Sequence, residues 1–289
     1  MSFETAVQAA ANAGASSLMY ALIAIGLTLA FGVMQMANLA HGHFFMAGAY
    51  TVYALYALGG YPYWLAIAAA VGVVAVLGLA TERFIFRPVR GDIVAGFIAT
   101  AGLMFIFEVF MGEVWGWGLM RYIPKPYGIP FEIMGASIDF ARVQMIPFAV
   151  AAIGGLMFFM RRFRMGRALR AVAQDPEAAS MQGISINKIT ALAMGIAGAL
   201  AGLAGGLMST IYAVTPSLGH QVILPALVVV VVGGLGSVEG VIIASIIFGF
   251  VISFVTTIFD AVTAMMVMYA VMGIVLATRP QGLMGRVIA

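Results

Sequence analysis

Apolar runs of about 20 residues, parted by short polar or glycine-bearing breaks, recur along the whole of this chain. A helix of that length spans the ~30 Å hydrocarbon core of a bilayer. Inside lipid every backbone polar group has to be satisfied internally, which leaves helices or closed barrels. The period-two alternation of a barrel strand is absent, so helices remain. Charge decides against a soluble alternative: 9% of the 289 residues are charged and 63% are hydrophobic, whereas soluble domains carry roughly 25% charged residues. The expectation is an all-α polytopic membrane protein with one transmembrane domain over residues 1–289. It has about eight or nine transmembrane helices, some short or interrupted, and a short helix in its cytoplasmic loop.

The runs fall at 16–36, 44–58, from about 65 to 81, 94–118, 143–160, 189–212, 222–232, 241–259 and 261–278. Those at 44–58 and 222–232 are too short for an upright span, so they are tilted, partly embedded or re-entrant. Tyr61, Tyr63, Trp64, Trp115 and Trp117 mark membrane interfaces. No Lys or Arg precedes Arg83, so the first run lacks the basic start of a cleavable signal and is kept. Glu4, the only early charge, favours an external N-terminus. Residues 119–142, with Pro124, Pro126 and Pro130, read as an external loop.

One stretch is polar and basic. Residues 161–188 hold Arg161, Arg162, Arg164, Arg167, Arg170 and Lys188, six of the 14 Lys+Arg. Arginines at every third position gather on one side of a helix, with Met165, Leu169 and Val172 on another. Asp175, Pro176 and Glu177 then supply a capping carboxylate, a helix-starting proline and a first-turn acid, and Gly183 is a natural stop. The expected product is a short helix over 176–182. If this loop is cytoplasmic and the segments alternate, Arg83, Arg87, Arg90, the six loop residues, Arg279 and Arg286 lie inside, against Arg121, Lys125 and Arg142 outside. That bias supports the orientation.

Polar groups and glycine breaks within the apolar segments mark a candidate translocation path. Asn38, His41 and Gly42 interrupt the chain after the first span, which is tolerable only against protein or a water-filled route. The alternative is an interfacial turn with His41 solvated. Glu108 is an intramembrane carboxylate that either lines the path or bonds a neighbouring helix. Gly233, Gly234 and Gly236 form a second break, and interrupted helices facing one another across a pore would put Asn38 opposite it. Glycines at 195, 198, 202, 205 and 206 recur at spacings of three and four, which signals tight helix packing.

Four landmarks carry a resemblance. Glu177-Ala178-Ala179 with Gly183 and Ile184 resembles the coupling loop of bacterial ABC importer permeases, specifically the branched-chain amino acid permease group. The Asn-x-Ala-His-Gly break at Asn38–Gly42, the Gly-Gly-x-Gly-Ser break at Gly233–Ser237 and Arg279-Pro280-Gln281-Gly282-Leu283 are similar to further signatures of that group, in the same order. Glu239 departs from the small residue or proline expected there. The resemblance implies a permease subunit in a bacterial inner membrane, translocating branched-chain or related small amino acids. Its partners would be a second related permease, two ATPase subunits and an external solute-binding protein. Asp175, Pro176, Glu177, Ala178, Ala179, Gly183 and Ile184 would form the docking element.

The chain carries no P-loop of its own, since its two lysines lie in PKPYG and INKIT. No nucleophile-and-base pairing is readable, so it is not expected to be an enzyme or to bind a cofactor. His41, His43 and His220 lack helix-spaced partners for a metal, and the absence of cysteine removes disulfides and thiolate sites. The net charge of +3 follows topology rather than a patch, which excludes nucleic acid as a partner. Two other functions stay open: a permease for urea or short amides, and an ion-coupled secondary transporter using Glu108 and Glu239.

Overall fold

The computed structural model describes residues 2–126, 131–133 and 136–285; Pro130 and Arg286, used above, lie outside them. The order is α1 (Phe3–Met34), α2 (His41–Val52), α3 (Tyr63–Thr81), α4 (Ile93–Trp115), β1 (Phe131–Ile133), β2 (Ala136–Ile138), α5 (Phe140–Arg162), α6 (Arg164–Gln174), α7 (Pro176–Met181), α8 (Ile186–Met208), α9 (Leu218–Gly233), α10 (Val238–Ile258) and α11 (Ala261–Thr278). Seven of the described helices are long and apolar enough to cross a membrane. α2 and α9 are shorter. α2 runs on into a π-helical turn at Tyr53–Leu58 and α3 into another at Glu82–Phe86.

Local chemistry starts the helices where loops meet them. Asp92 accepts from the Ala95 N–H at 2.9 Å, Ser237 from Gly240 at 3.1 Å, and Asp260 from Val262 and Thr263 at 2.8 and 2.9 Å. Each satisfies N–H groups that a first helical turn leaves unpaired. Capping also begins α1 earlier than its apolar run suggests: Ser2 Oγ accepts from Thr5 N at 3.2 Å, and the helix is 32 residues long. The loop after α4 is not wholly irregular, because β1 and β2 pair antiparallel with Glu132 opposite Ser137.

α1 and α8 form the centre of the bundle, with α2, α3, α9 and α10 against them. α4 and α11 lie mostly exposed on the perimeter. Lipid gives helices little hydrophobic reason to associate, so close approach and interhelical hydrogen bonds carry the packing. The α8 glycines do this: a Cβ on Gly202 would come 2.6 Å from the Ala70 carbonyl of α3, and one on Gly205 would strike the Phe45 carbonyl of α2. Ser253 of α10 donates to the Ala9 carbonyl of α1 at 2.7 Å, a bond of a kind that averages about 0.6 kcal/mol in a bilayer.

The two ends of the bundle differ in character. At one, Arg87 and Arg90 of the α3–α4 corner meet Asn187 and Thr190 of α8, while Gly32 lies against Gly236 and Ala173. This basic end also carries α6 and α7. At the other, Trp64 stacks on Phe148 with ring centroids 4.6 Å apart, and Arg121 and Val214 form a backbone bridge. Glu82, at this basic end, is fully buried: its carboxylate accepts from Arg87 at 2.7 Å, Arg90 at 3.1 Å and the Thr190 hydroxyl at 2.7 Å. It ties the end of α3 to the first turn of α8.

Candidate functional site

The basic loop folds as a bracket. α5 ends at Arg162, Phe163 is extended, and α6 restarts at Arg164, close enough that a Cβ on Gly166 would come 2.6 Å from the Met160 Cα. Leu169 and Val172 of α6 are buried, and Arg161, Arg162, Arg164 and Arg167 are exposed. Met165, one turn before Leu169 on the same helix, is 50% exposed, so the bundle covers this face of α6 only from Leu169 onward.

α7 forms as its residues direct. Asp175 Oδ1 accepts from Ala178 N at 2.9 Å, Pro176 fills the first helical position, and Gly183 turns the chain at φ +79°. The Ile184 N–H returns to the Ala179 carbonyl at 3.2 Å, and α8 begins two residues later. Ala179 is buried against its own chain, whereas Glu177, Ala178, Ser180 and Met181 face outward. Met181 is 84% exposed, an apolar tip at the end of a helix and the most prominent feature of this surface. It went unnoticed in sequence because one methionine among 21 carries no pattern.

A second site lies inside the bundle. His41 is neither solvated nor at an interface: it is fully buried, and its Nε2 donates to the Ile23 carbonyl in the middle of α1 at 3.2 Å. Gly26 leaves room for the ring, since a Cβ there would sit 3.1 Å from Nε2. As Ile23 is 11 residues before the end of α1, the segment 35–40 climbs back along that helix and α2 starts at membrane depth. Asn38 shapes this return, its Oδ1 accepting from Ala40 N at 3.1 Å from a buried position, while its amide nitrogen meets no acceptor among the described residues.

Gly42 brings a second interrupted helix into register. A Cβ on Gly42 would strike the Gly219 carbonyl and lie 2.8 Å from Ile223 Cβ; one on Gly219 would lie 2.7 Å from the His43 ring. The N-terminal turns of α2 and α9 therefore cross at these glycines, directing two positive helix ends toward one region. Glu108 of α4 answers them there, its Oε2 lying 2.7 Å from His220 Nε2. His43 packs edge-on to His220 with ring centroids 5.0 Å apart. The nearest ligand atoms of His43, Glu108 and His220 all lie within 4.8 Å of one another: the histidines lack helix-spaced partners, as expected, and find them across helices instead. The crossing of two half-helices assembles them, and no local spacing records it.

The remaining expectations change place. The break at Gly233–Gly236 is at the basic end, not at membrane depth. Gly233 and Gly234 are buried, Leu283 N donates to the Val232 carbonyl at 2.7 Å, and Met284 N to the Gly233 carbonyl at 3.1 Å. The glycines admit the carboxy-terminal segment, so the interrupted helices that meet are α2 and α9 at their N-termini. Glu239 stands exposed in the first turn of α10, 3.8 Å from Arg161, and is not an intramembrane carboxylate.

A family model described as "Branched-chain amino acid transport system / permease component" matches residues 10–276. The chain is 32% identical to the high-affinity branched-chain amino acid transport system permease protein LivH of Salmonella typhimurium, over 92% of this chain and 91% of that one. It is 31% identical to the corresponding protein BraD of Pseudomonas aeruginosa, over 92% of each. Among solved structures, PsaBC from Streptococcus pneumoniae in complex with Fab shares the fold with a TM-score of 0.51 at 15% identity, over 92% of this chain and 90% of that one. The re-entrant start of α2, the projecting α7 and the match across nearly the whole length lead to one conclusion: this multi-pass membrane protein belongs to the branched-chain amino acid transport permease family.

Proposed function

We propose that the chain is the permease subunit of an ATP-binding-cassette importer in a bacterial inner membrane, carrying a branched-chain or related small amino acid that a solute-binding protein delivers. Its partners are a second related permease and two ATPase subunits. The observation that carries this is α7: a capped, six-residue helix presenting Glu177, Ala178, Ser180 and the exposed Met181 beside an arginine-lined α6. Such a surface suits a soluble subunit that accepts a short helix in a groove, with Met181 as the apolar anchor.

The packing explains how force would travel. α7 continues into α8 through Gly183–Ser185 and is joined to α5 through α6. A displacement of α7 by closure of the ATPases moves α8, the central helix, and the buried Glu82 network carries that movement to α3. α8 also touches α2 at Gly205 and Gly202, so the α2–α9 crossing shifts with it.

The test places a photo-crosslinking residue at Met181 in the assembled complex. Capture of the ATPase subunits with a yield that changes between nucleotide states is expected; a transport-competent complex in which position 181 captures nothing and stays open to aqueous reagents overturns the docking. Two other readings separate by different measurements. For urea or short amides, the solute that stabilises the binding protein decides. For an ion-coupled carrier, which the Glu108–His220 pair favours, the energy source decides.

A further inference from the structure

We propose that His43, Glu108 and His220 form a binding site for a divalent first-row transition-metal ion that joins α4 to the crossing of α2 and α9. His43 is fully buried, yet both of its ring nitrogens are without a hydrogen-bond partner. A buried imidazole left so is costly, and Gly219 is hollowed to admit the ring. The neighbours it faces are two ligand-bearing groups, His220 and Glu108. An ion between the three would give one of the two His43 nitrogens the partner it lacks.

The donor set fixes the class of ion. Two neutral imidazoles and one carboxylate suit zinc, cobalt, nickel or ferrous iron, and are too nitrogen-rich for magnesium or calcium. Bonds of about 2.1 Å in a tetrahedron hold ligand atoms about 3.4 Å apart. The cluster spans that value, with Glu108 and His220 at 2.7 Å and no separation beyond 4.8 Å. Small rotations of His220 and Glu108, which are 37% and 18% exposed, suffice. The Glu108 carboxylate also offsets the two helix N-termini, which by themselves disfavour a cation. A cleft of about 200 Å³ lined by Trp117, Met120, Thr215, Ser217 and Gln221 lies at the start of α9, the helix that carries His220.

α4 stands to gain most. It lies on the perimeter with only Gly96, Thr100 and Gly112 buried, so an ion bonded to Glu108 would fasten its outer half. Whether an ion binds here is a separate question from what the permease carries, so a negative metal result leaves the proposed transport role standing.

The experiment uses the full chain in detergent, purified through a histidine-free tag and stripped with a chelator. Cobalt(II) titration is expected to give visible ligand-field bands saturating at one ion per chain and bleached by zinc, and zinc but not magnesium should raise the melting temperature. His43→Ala and Glu108→Gln should each weaken cobalt binding at least tenfold; Glu108→Gln, at the more exposed position, is the variant to rely on if removal of the buried ring prevents folding. No cobalt band in the unaltered chain, or a band that survives Glu108→Gln together with His220→Gln, overturns the site.

Discussion

Replacing Glu82 by Gln removes one charge and almost no volume from the joint between α3 and α8. The parent carboxylate has no solvent exposure and accepts four bonds, three of them from the two guanidinium groups. Removing one member of a fully buried pair costs about 3–5 kcal/mol, because the charge left behind is stranded. Here the stranded charges, Arg87 and Arg90, are 31% and 34% exposed, so water repays part of that loss. Glutamine also keeps an acceptor for Thr190. An expected cost of about 2 kcal/mol follows, or about 5 °C in melting temperature by the scaling of mid-sized domains. Thermal unfolding in detergent, followed by size-exclusion recovery, measures it. In a cycle with Arg90→Gln the double loss should fall short of the sum of the single losses, since the second is smaller once Glu82 is gone. A Glu82→Gln protein that melts with the parent, or single losses that merely add, would refute the reasoning.

Other consequences are more local. Gly183→Trp fills open space but forces a side chain into a left-handed backbone at a cost of about 1–2 kcal/mol; it should leave the protein inserted and sharply reduce ATP-driven uptake, measured against expression. Gly42→Leu pushes a side chain into the Gly219 carbonyl and Ile223, and should separate α2 from α9 with a melting loss well above that of Gly72→Leu, where nothing lies within 4 Å. Asn38→Leu strands the buried Ala40 N–H and should lower the melting temperature, by about 1–3 kcal/mol of stability, together with transport. A cysteine at exposed Ser180 should react with an impermeant thiol reagent only from the cytoplasmic side and one at exposed Ser137 only from outside, against a chain that has no cysteine.

What could be read from sequence was set by local physics. α7 needs only Asp175, Pro176 and Gly183, each acting within its own turn, and it appears with one residue of difference at its end. The long spans follow from the length of their apolar runs. Met165 shares a face of α6 with Leu169 as its spacing implies, but periodicity does not say how far along the helix the bundle reaches. The burial of Glu82 is not legible in sequence, because its partner Thr190 is 108 residues away. His220 and Glu108 are 112 residues apart, and their meeting with His43 depends on where two half-helices cross. The glycines at 233–236 show the same limit: a break is visible in the sequence, but its depth is decided by the tail that packs into it.

The central claim is that ATP hydrolysed by separate subunits drives solute through this chain. The most direct test reconstitutes it with its partner permease, ATPase subunits and binding protein in sealed vesicles, and follows uptake of a labelled branched-chain amino acid. ATP is trapped inside, and ionophores collapse all ion gradients. Uptake that rises with internal ATP and is indifferent to the ionophores is predicted. Uptake that persists without ATP and stops when the gradients collapse would contradict the account and make this chain an ion-coupled carrier.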